Sequence, residues 1–286
     1  MPLPTLALVL VAAGAHAVWN IASKGKRGDT VRFVWVYTAV SAGLCAPLAA
    51  ASVLLGSTPV AVDLLCAAVV SGILHVTYSL TLQTGYDRAD LGVVYPIARG
   101  TGPVLTLVCA IVVLGERLRA AEVIGALVIV AGIAIVMGNP FASRRRPLAG
   151  AAWGATTGAT TAAYTLWDGF SITVLQADPL VYFSATLVVE TLLLLPRAMR
   201  APGSMVDTLR RNPVTVPIIS VLSPLAYILV LVALQTAPVA VVAPLRESSI
   251  VIAALLAWAF FGEDHVGRRL VGAAVVLVGI AAISVG

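Results

Sequence analysis

The chain has 286 residues, of which 60% are apolar and only 11% charged, and its mean hydropathy is +1.01. Soluble domains run nearer about 45–50% apolar and about 25% charged, so no water-soluble core can hide this much apolar surface. A net charge of +5 and a pI near 9.4 do not mark a nucleic-acid binder, because the basic residues sit in short loops between apolar runs.

A helix needs roughly 20 mostly apolar residues to cross about 30 Å of hydrocarbon. Ten candidates follow one another: Leu3–Ser23, Val31–Leu54, Val62–Gln83, Leu91–Leu114, Ala120–Met137, Leu148–Phe170, Leu180–Leu195, Val214–Gln235, Val239–Phe261 and Leu270–Val285. The seventh and tenth are the shortest. The runs are near-continuous and do not alternate, so helices satisfy the backbone in lipid and strands do not. The predicted fold class is an all-α integral membrane protein with ten transmembrane helices. The first span has a small-residue end, Ala15-His16-Ala17, but lacks the positive n-region of a cleaved leader. It is read as a retained helix. Gly150, Gly154 and Gly158, at steps of four in the sixth span, support close helix packing. Cys45, Cys66 and Cys109 lie in apolar runs without metal-ligand spacing and read as packing residues.

Loop charge predicts orientation. Lys24, Lys26, Arg27 and Arg32 follow the first span, Arg88 the third and Arg144, Arg145 and Arg146 the fifth. Arg197, Arg200, Arg210 and Arg211 follow the seventh, and Arg268 and Arg269 the ninth. The opposite side carries only Arg117 and Arg119. This bias places the Arg-rich loops in the cytoplasm of a multi-pass inner (plasma) membrane protein, with both termini outside.

The chain also repeats itself. His16-Ala-Val-Trp19-Asn20 in the first span matches Tyr164-Thr-Leu-Trp167-Asp168 in the sixth. Leu82-Gln83-Thr84 matches Leu234-Gln235-Thr236, a register that pairs His75 with Tyr227. Val94-Tyr95-Pro96 matches Val242-Ala243-Pro244, and both stretches run on to Gly-Glu, at Gly115-Glu116 and Gly262-Glu263. Gly125, Gly132 and Ile133 match Gly272, Gly279 and Ile280. Uncommon residues recurring in order mark a true duplication. The halves are 1–137 and 148–286, joined by a basic linker over 138–147. Five spans per half is odd, so the second half enters from the opposite side. The repeats are then inverted, which suits alternating access around a central site.

Three stretches carry a family resemblance: His16-Ala-Val-Trp-Asn20 with Lys24, Val94-Tyr-Pro-Ile-Ala-Arg99-Gly100, and the paired ends Leu114-Gly-Glu116-Arg-Leu and Phe261-Gly-Glu263. The layout resembles the ten-helix EamA-like members of the drug/metabolite transporter superfamily over nearly the whole chain. The resemblance implies a carrier of small metabolites, amino acids, drugs or sugar derivatives, mostly moved outward. It also implies that spans one to four and six to nine surround the path, with five and ten peripheral. Many members place the first positive cluster after the second span. Here it follows the first, so orientation is taken from this chain's own loops.

Ionisable residues at membrane depth cost on the order of 2.5–3.5 kcal/mol each and usually face a cavity or a partner. His16, Trp19 and Asn20 share one face of the first span, and Tyr164, Trp167 and Asp168 share one face of the sixth. Tyr95 and Arg99 stand on the fourth, His75 on the third and Tyr227 on the eighth. Glu190 lies on the seventh, and Arg246 and Glu247 follow Pro244 on the ninth. Of these thirteen residues, all but Glu190 form the candidate substrate site. Asp168, Glu190 and Glu247 are the candidates for proton coupling. Arg99 and Arg246 would attract an anionic group such as a carboxylate or phosphonate. The plainer alternatives stay open: Arg246 neutralises Glu247 or Asp168, Arg99 holds Glu190, the tryptophans form an interface belt, and Lys24 snorkels. Pro96 and Pro244 are hinges or packing kinks. Glu116 and Glu263 cap or place the neighbouring turn. His265 lies in a loop.

No phosphate loop, His-Glu-x-x-His motif, Gly-x-Ser-x-Gly elbow or Cys-x-x-Cys pair is present. The expected function is therefore not enzymatic and needs neither cofactor nor metal. It is a secondary transporter of a small organic solute, outward-directed and driven by a proton or ion gradient. A flippase for a lipid-linked sugar or lipid is the alternative.

Overall fold

In lipid a backbone must bond within its own segment, and the apolar runs do so as helices. The computed structural model describes residues 1–23, 25–56, 61–89, 91–139, 147–201, 203–252 and 266–285. Among these residues every regular element is an α-helix: α1 (Leu3–Ser23), α2 (Thr30–Leu54), α3 (Val62–Arg88), α4 (Leu91–Val112), α5 (Ala120–Met137), α6 (Pro147–Thr173), α7 (Pro179–Arg200), α8 (Met205–Arg211), α9 (Thr215–Leu234), α10 (Val239–Arg246) and α11 (Val266–Val285). Seven of them, α1 to α5, α7 and α9, are long and apolar enough to cross a membrane. α6 is 27 residues long but rich in Thr and Gly, and the apolar stretch of α11, Leu270–Ile283, is short.

Short polar signals set the ends. Asp29 caps α2 by accepting from the Arg32 N–H at 2.9 Å. Asp178 caps α7 by accepting from Leu180 and Val181, with Pro179 in the first turn, where its missing N–H costs nothing. The seventh span is longer than its apolar core, because the helix continues to Arg200. The sequence reading missed α8, whose signal is a reciprocal cap between Ser204 and Asp207. The exposed Asp207 carboxyl is held below its usual range by the hydrogen bonds from Ser204.

The ninth span differs most from expectation. The sequence predicts one run over Val239–Phe261, but α10 stops at Arg246, the chain turns at Glu247 and Ser248, and helix resumes over 249–252. Pro244 has no N–H to donate, and the amides of Glu247 and Ser248 reach back three residues to Pro244 and Leu245. The break puts two charged side chains at one helix end. The expectations for Lys24, Arg144, Arg145, Arg146, Glu263 and His265 fall outside the described residues, as do the side chains of Gln83, Pro96 and Arg269.

The polarity is inside-out relative to a soluble protein. Ser71, Asp168, Ser171, Thr186, Ser220 and Glu247 are buried, whereas Leu48 on α2, Val62 on α3, Leu127 on α5 and Leu277 on α11 are exposed.

The packing follows the sequence register. α1 packs on α9 and its equivalent α6 packs on α3; α2 packs on α9 and its equivalent α7 packs on α3. α2 meets its own equivalent α7, and α5 meets α11. Glycine allows the closest approaches. A β-carbon on Gly125 would lie 2.7 Å from the Gly279 carbonyl oxygen, and one on Gly279 would lie 2.7 Å from that of Gly125. Gly132 and Gly272 meet in the same reciprocal way, at 2.9 and 2.8 Å. On α6, Gly150, Gly154 and Gly158 admit Val93, Ile97 and Thr101 of α4, as their spacing predicts.

Candidate functional site

Two polar groups lie inside the helix bundle, joined by an aromatic bridge. The first is built on α4 and the end of α10. Arg99 Nη1 donates to Glu247 Oε2 at 3.0 Å, and Arg246 Nη2 donates to Glu247 Oε1 at 3.2 Å. Glu247 is only 2% exposed, so a carboxylate there needs both cations. The Arg99 guanidinium sits 5.3 Å from the centre of the Tyr95 ring, and that of Arg246 sits 5.9 Å from the centre of the Tyr164 ring. A cleft beside this group is lined by Tyr78 and Leu82 of α3, Tyr95, Arg99 and Pro103 of α4, Thr157 and Thr161 of α6, and Glu247. Two guanidiniums facing one carboxylate leave one positive charge in excess. The buried Arg246 Nε and Ser248 Oγ have no hydrogen-bond partner among the described residues. The arrangement offers donors to an acceptor-bearing ligand.

The second group is centred on Asp168 of α6, which is fully buried. Ser71 Oγ and Tyr182 OH each donate to Oδ1 at 2.7 Å. His75 Nε2 lies 3.0 Å from Oδ2, and the Tyr227 hydroxyl donates to the same oxygen. Beyond His75, its Nδ1 faces Glu190 Oε1 of α7 at 3.8 Å. Tyr164 joins the two groups: its ring stacks on His75 at 4.2 Å between centroids and also lies against the Arg246 guanidinium.

Of the predicted site residues, the structure brings together Arg99, Arg246, Glu247 and Tyr95 in the first group. It brings together His75, Asp168, Tyr227 and Glu190 in the second, with Tyr164 between. Arg246 pairs with Glu247, one of the pairings weighed on sequence, whereas the other pairings differ. Asp168 bonds His75 and hydroxyls, and Arg99 bonds Glu247. His16 lies within electrostatic reach of the first group, Arg99, Glu247 and Arg246. Its ring also meets Trp19 edge-on at 4.8 Å. Three predicted residues are occupied elsewhere. Trp19 packs on the cluster of Phe33, Val36, Val216 and Ile219. Asn20 Nδ2 donates to the carbonyl of His16 in its own helix at 2.9 Å. Trp167 Nε1 donates to the Ala67 carbonyl at 2.9 Å and ties α6 to α3.

Sequence reasoning missed Ser71, Tyr78 and Tyr182. A serine or tyrosine within an apolar run carries no pattern of its own, and only the carboxylate it meets gives it a role. Glu116, read as a cap, fills that role across the halves. Its two carboxylate oxygens accept from the Val239 and Ala240 amides at 2.8 and 3.0 Å, at the start of α10.

The model of the EamA-like transporter family matches residues 3–138 and again residues 148–285. No curated protein is similar enough in sequence to count as a match. Among solved structures, one crystal structure of a protein superposes with a TM-score of 0.79 at 16% identity. That match covers 100% of this chain and 98% of the other. At that identity the likeness concerns the fold alone.

Proposed function

The chain belongs to the EamA-like transporter family, a family of multi-pass membrane transporters, and we propose that it moves a small organic anion by alternating access. The observation that carries this reading is the buried Arg99–Glu247–Arg246 group, with two cations for one carboxylate beside a cleft. A solute carboxylate or phosphonate would compete with Glu247 for the guanidiniums, and Tyr78 and Tyr95 would flank its organic part.

Alternating access is supported by duplication. The family model matches twice, at 3–138 and 148–285, which fits halves at 1–137 and 148–286 around the linker 138–147. With five spans in each half, ten helices form two inverted repeats. Exchange-related packing of α1 on α9 and of α6 on α3 fits that arrangement. The bias of basic residues among the loops supports both termini lying outside the inner membrane, and fusions of a reporter to the C-terminus test this: activity from the cytoplasmic side contradicts it.

The transport reading is tested with purified protein in liposomes and a panel of labelled organic carboxylates and phosphonates. The expected result is saturable flux of at least one of them, lost in Arg99→Ala and Glu247→Gln. No flux across the panel, or flux unchanged by both substitutions, overturns the site.

A further inference from the structure

An ionised carboxylate only accepts hydrogen bonds. Asp168 takes four, from Ser71, Tyr182, Tyr227 and His75. The His75 ring therefore carries a proton on Nε2, directed at Asp168, and a neutral ring has its lone pair on Nδ1. That lone pair faces Glu190 Oε1 across 3.8 Å, so an acceptor confronts an acceptor. No hydrogen bond to the Glu190 carboxylate is present among the described residues. His75 and Glu190 are 13% and 12% exposed, which shields them from bulk water.

We propose that His75 Nδ1 and Glu190 Oε1 together form a proton-binding site, distinct from the Arg99–Glu247–Arg246 group. One proton placed between them turns two opposed lone pairs into a charge-assisted hydrogen bond. The proton belongs to the pair and not to either residue alone. Asp168 and Glu247, the other carboxylates weighed from sequence, already meet donors on both oxygens. Glu190 is the one whose partner is an acceptor.

Ionisable groups from several helices surround the pair. Tyr78 stands on α3 itself, Asp168 and Tyr164 on α6, Tyr182 on α7 and Tyr227 on α9. The charge of Arg246 on α10 also acts on His75, and Tyr37 on α2 lies within electrostatic reach of Glu190. A consequence follows that rests on the transport reading. The bound proton adds one positive charge, a single tyrosine ring from Arg246, so proton and anion favour each other's binding.

The test needs no substrate. The chain has three histidines, and ring-15N histidine in the full protein in lipid nanodiscs resolves them by NMR from about pH 5 to about pH 9. The His75 signal, assigned by its loss in His75→Gln, is expected to change protonation state across this range. Should that variant not fold, His16→Gln and His265→Gln assign the signal by elimination. Glu190→Gln is expected to abolish the change, because its amide donates permanently to Nδ1. A His75 signal constant across the range in the wild type, or an unaltered change in Glu190→Gln, overturns the proposal. Either result leaves the flux assay free to succeed or fail by itself.

Discussion

Arg99 and Glu247 bond each other at 3.0 Å, and they stand 148 residues apart, the offset that aligns His16 with Tyr164 and Pro96 with Pro244. The ion pair thus joins equivalent positions of the two halves. Contact between matched positions supports the proposed inverted repeat, in which such positions meet near the line about which the halves exchange. His75 and Tyr227, another matched pair, meet there too, both on Asp168 Oδ2. The scaffold is duplicated, but at each pair the chemistry has diverged: arginine against glutamate, histidine against tyrosine.

Removing Glu247 should cost more stability than removing Arg99. Glu247→Ala leaves two buried guanidiniums uncompensated, whereas Arg99→Ala leaves Glu247 with Arg246. Breaking a buried pair from one side typically costs about 3–5 kcal/mol, and Glu247→Ala should fall in that range with Arg99→Ala below it. Unfolding midpoints in detergent, combined in a double-mutant cycle, measure both. Equal losses for the two variants would contradict the three-member group.

At the α5–α11 crossing, Gly132→Val should destabilise the protein by about 1–3 kcal/mol or more through overpacking. A β-carbon there meets the Gly272 carbonyl oxygen at 2.9 Å, and backbone cannot turn aside as a side chain can. The control is Gly43→Ala, whose β-carbon meets nothing within 4 Å. Thermal unfolding should separate the two variants clearly.

Glu116 should matter to transport although it lies away from the cleft. It holds the first two amides of α10, and α10 ends in Arg246 and Glu247. Losing such a cap costs about 1 kcal/mol, with a usual range of about 0.5–2. Glu116→Ala should show that loss of stability together with slower flux, and Glu116→Gln, which keeps acceptor capacity, a smaller one. Full flux in Glu116→Ala would show that α10 needs no external anchor.

Asp168→Asn should be the most damaging single-atom exchange in the second group. The amide presents donors where donors already converge. Hydrogen bonds to a charged group are worth about 1.5–3 kcal/mol each, so Tyr227→Phe and Tyr182→Phe should each cost no more than one such bond. Asp168→Asn should exceed either. Detergent unfolding of the three variants checks the order.

Much of the fold is legible in the sequence because lipid leaves few options. The first and fifth spans end where the helices end, at Ser23 and Met137. The glycine steps of α6 and the matched glycines of α5 and α11 pack as their spacing requires. The break after Arg246 was not legible, since a proline in a membrane helix is compatible with a kink or a stop, and neighbours decide which. At the site, cost singles out the ionisable residues. Partner choice depends on three-dimensional reach, so sequence left Asp168 and Arg99 with the wrong neighbours among their options. Shared helical face was a weaker guide: Trp19, Asn20 and Trp167 share the expected faces but spend their polar atoms or rings on packing.

On the proposed function, the carrier exposes one anion site to either side in turn. Counterflow in proteoliposomes tests it most directly. Vesicles loaded with the unlabelled anion found in the flux panel should accumulate the labelled anion transiently above its external concentration, and Arg99→Ala vesicles should not. Flux that rises linearly with concentration, with no overshoot in loaded vesicles, would contradict alternating access at this site.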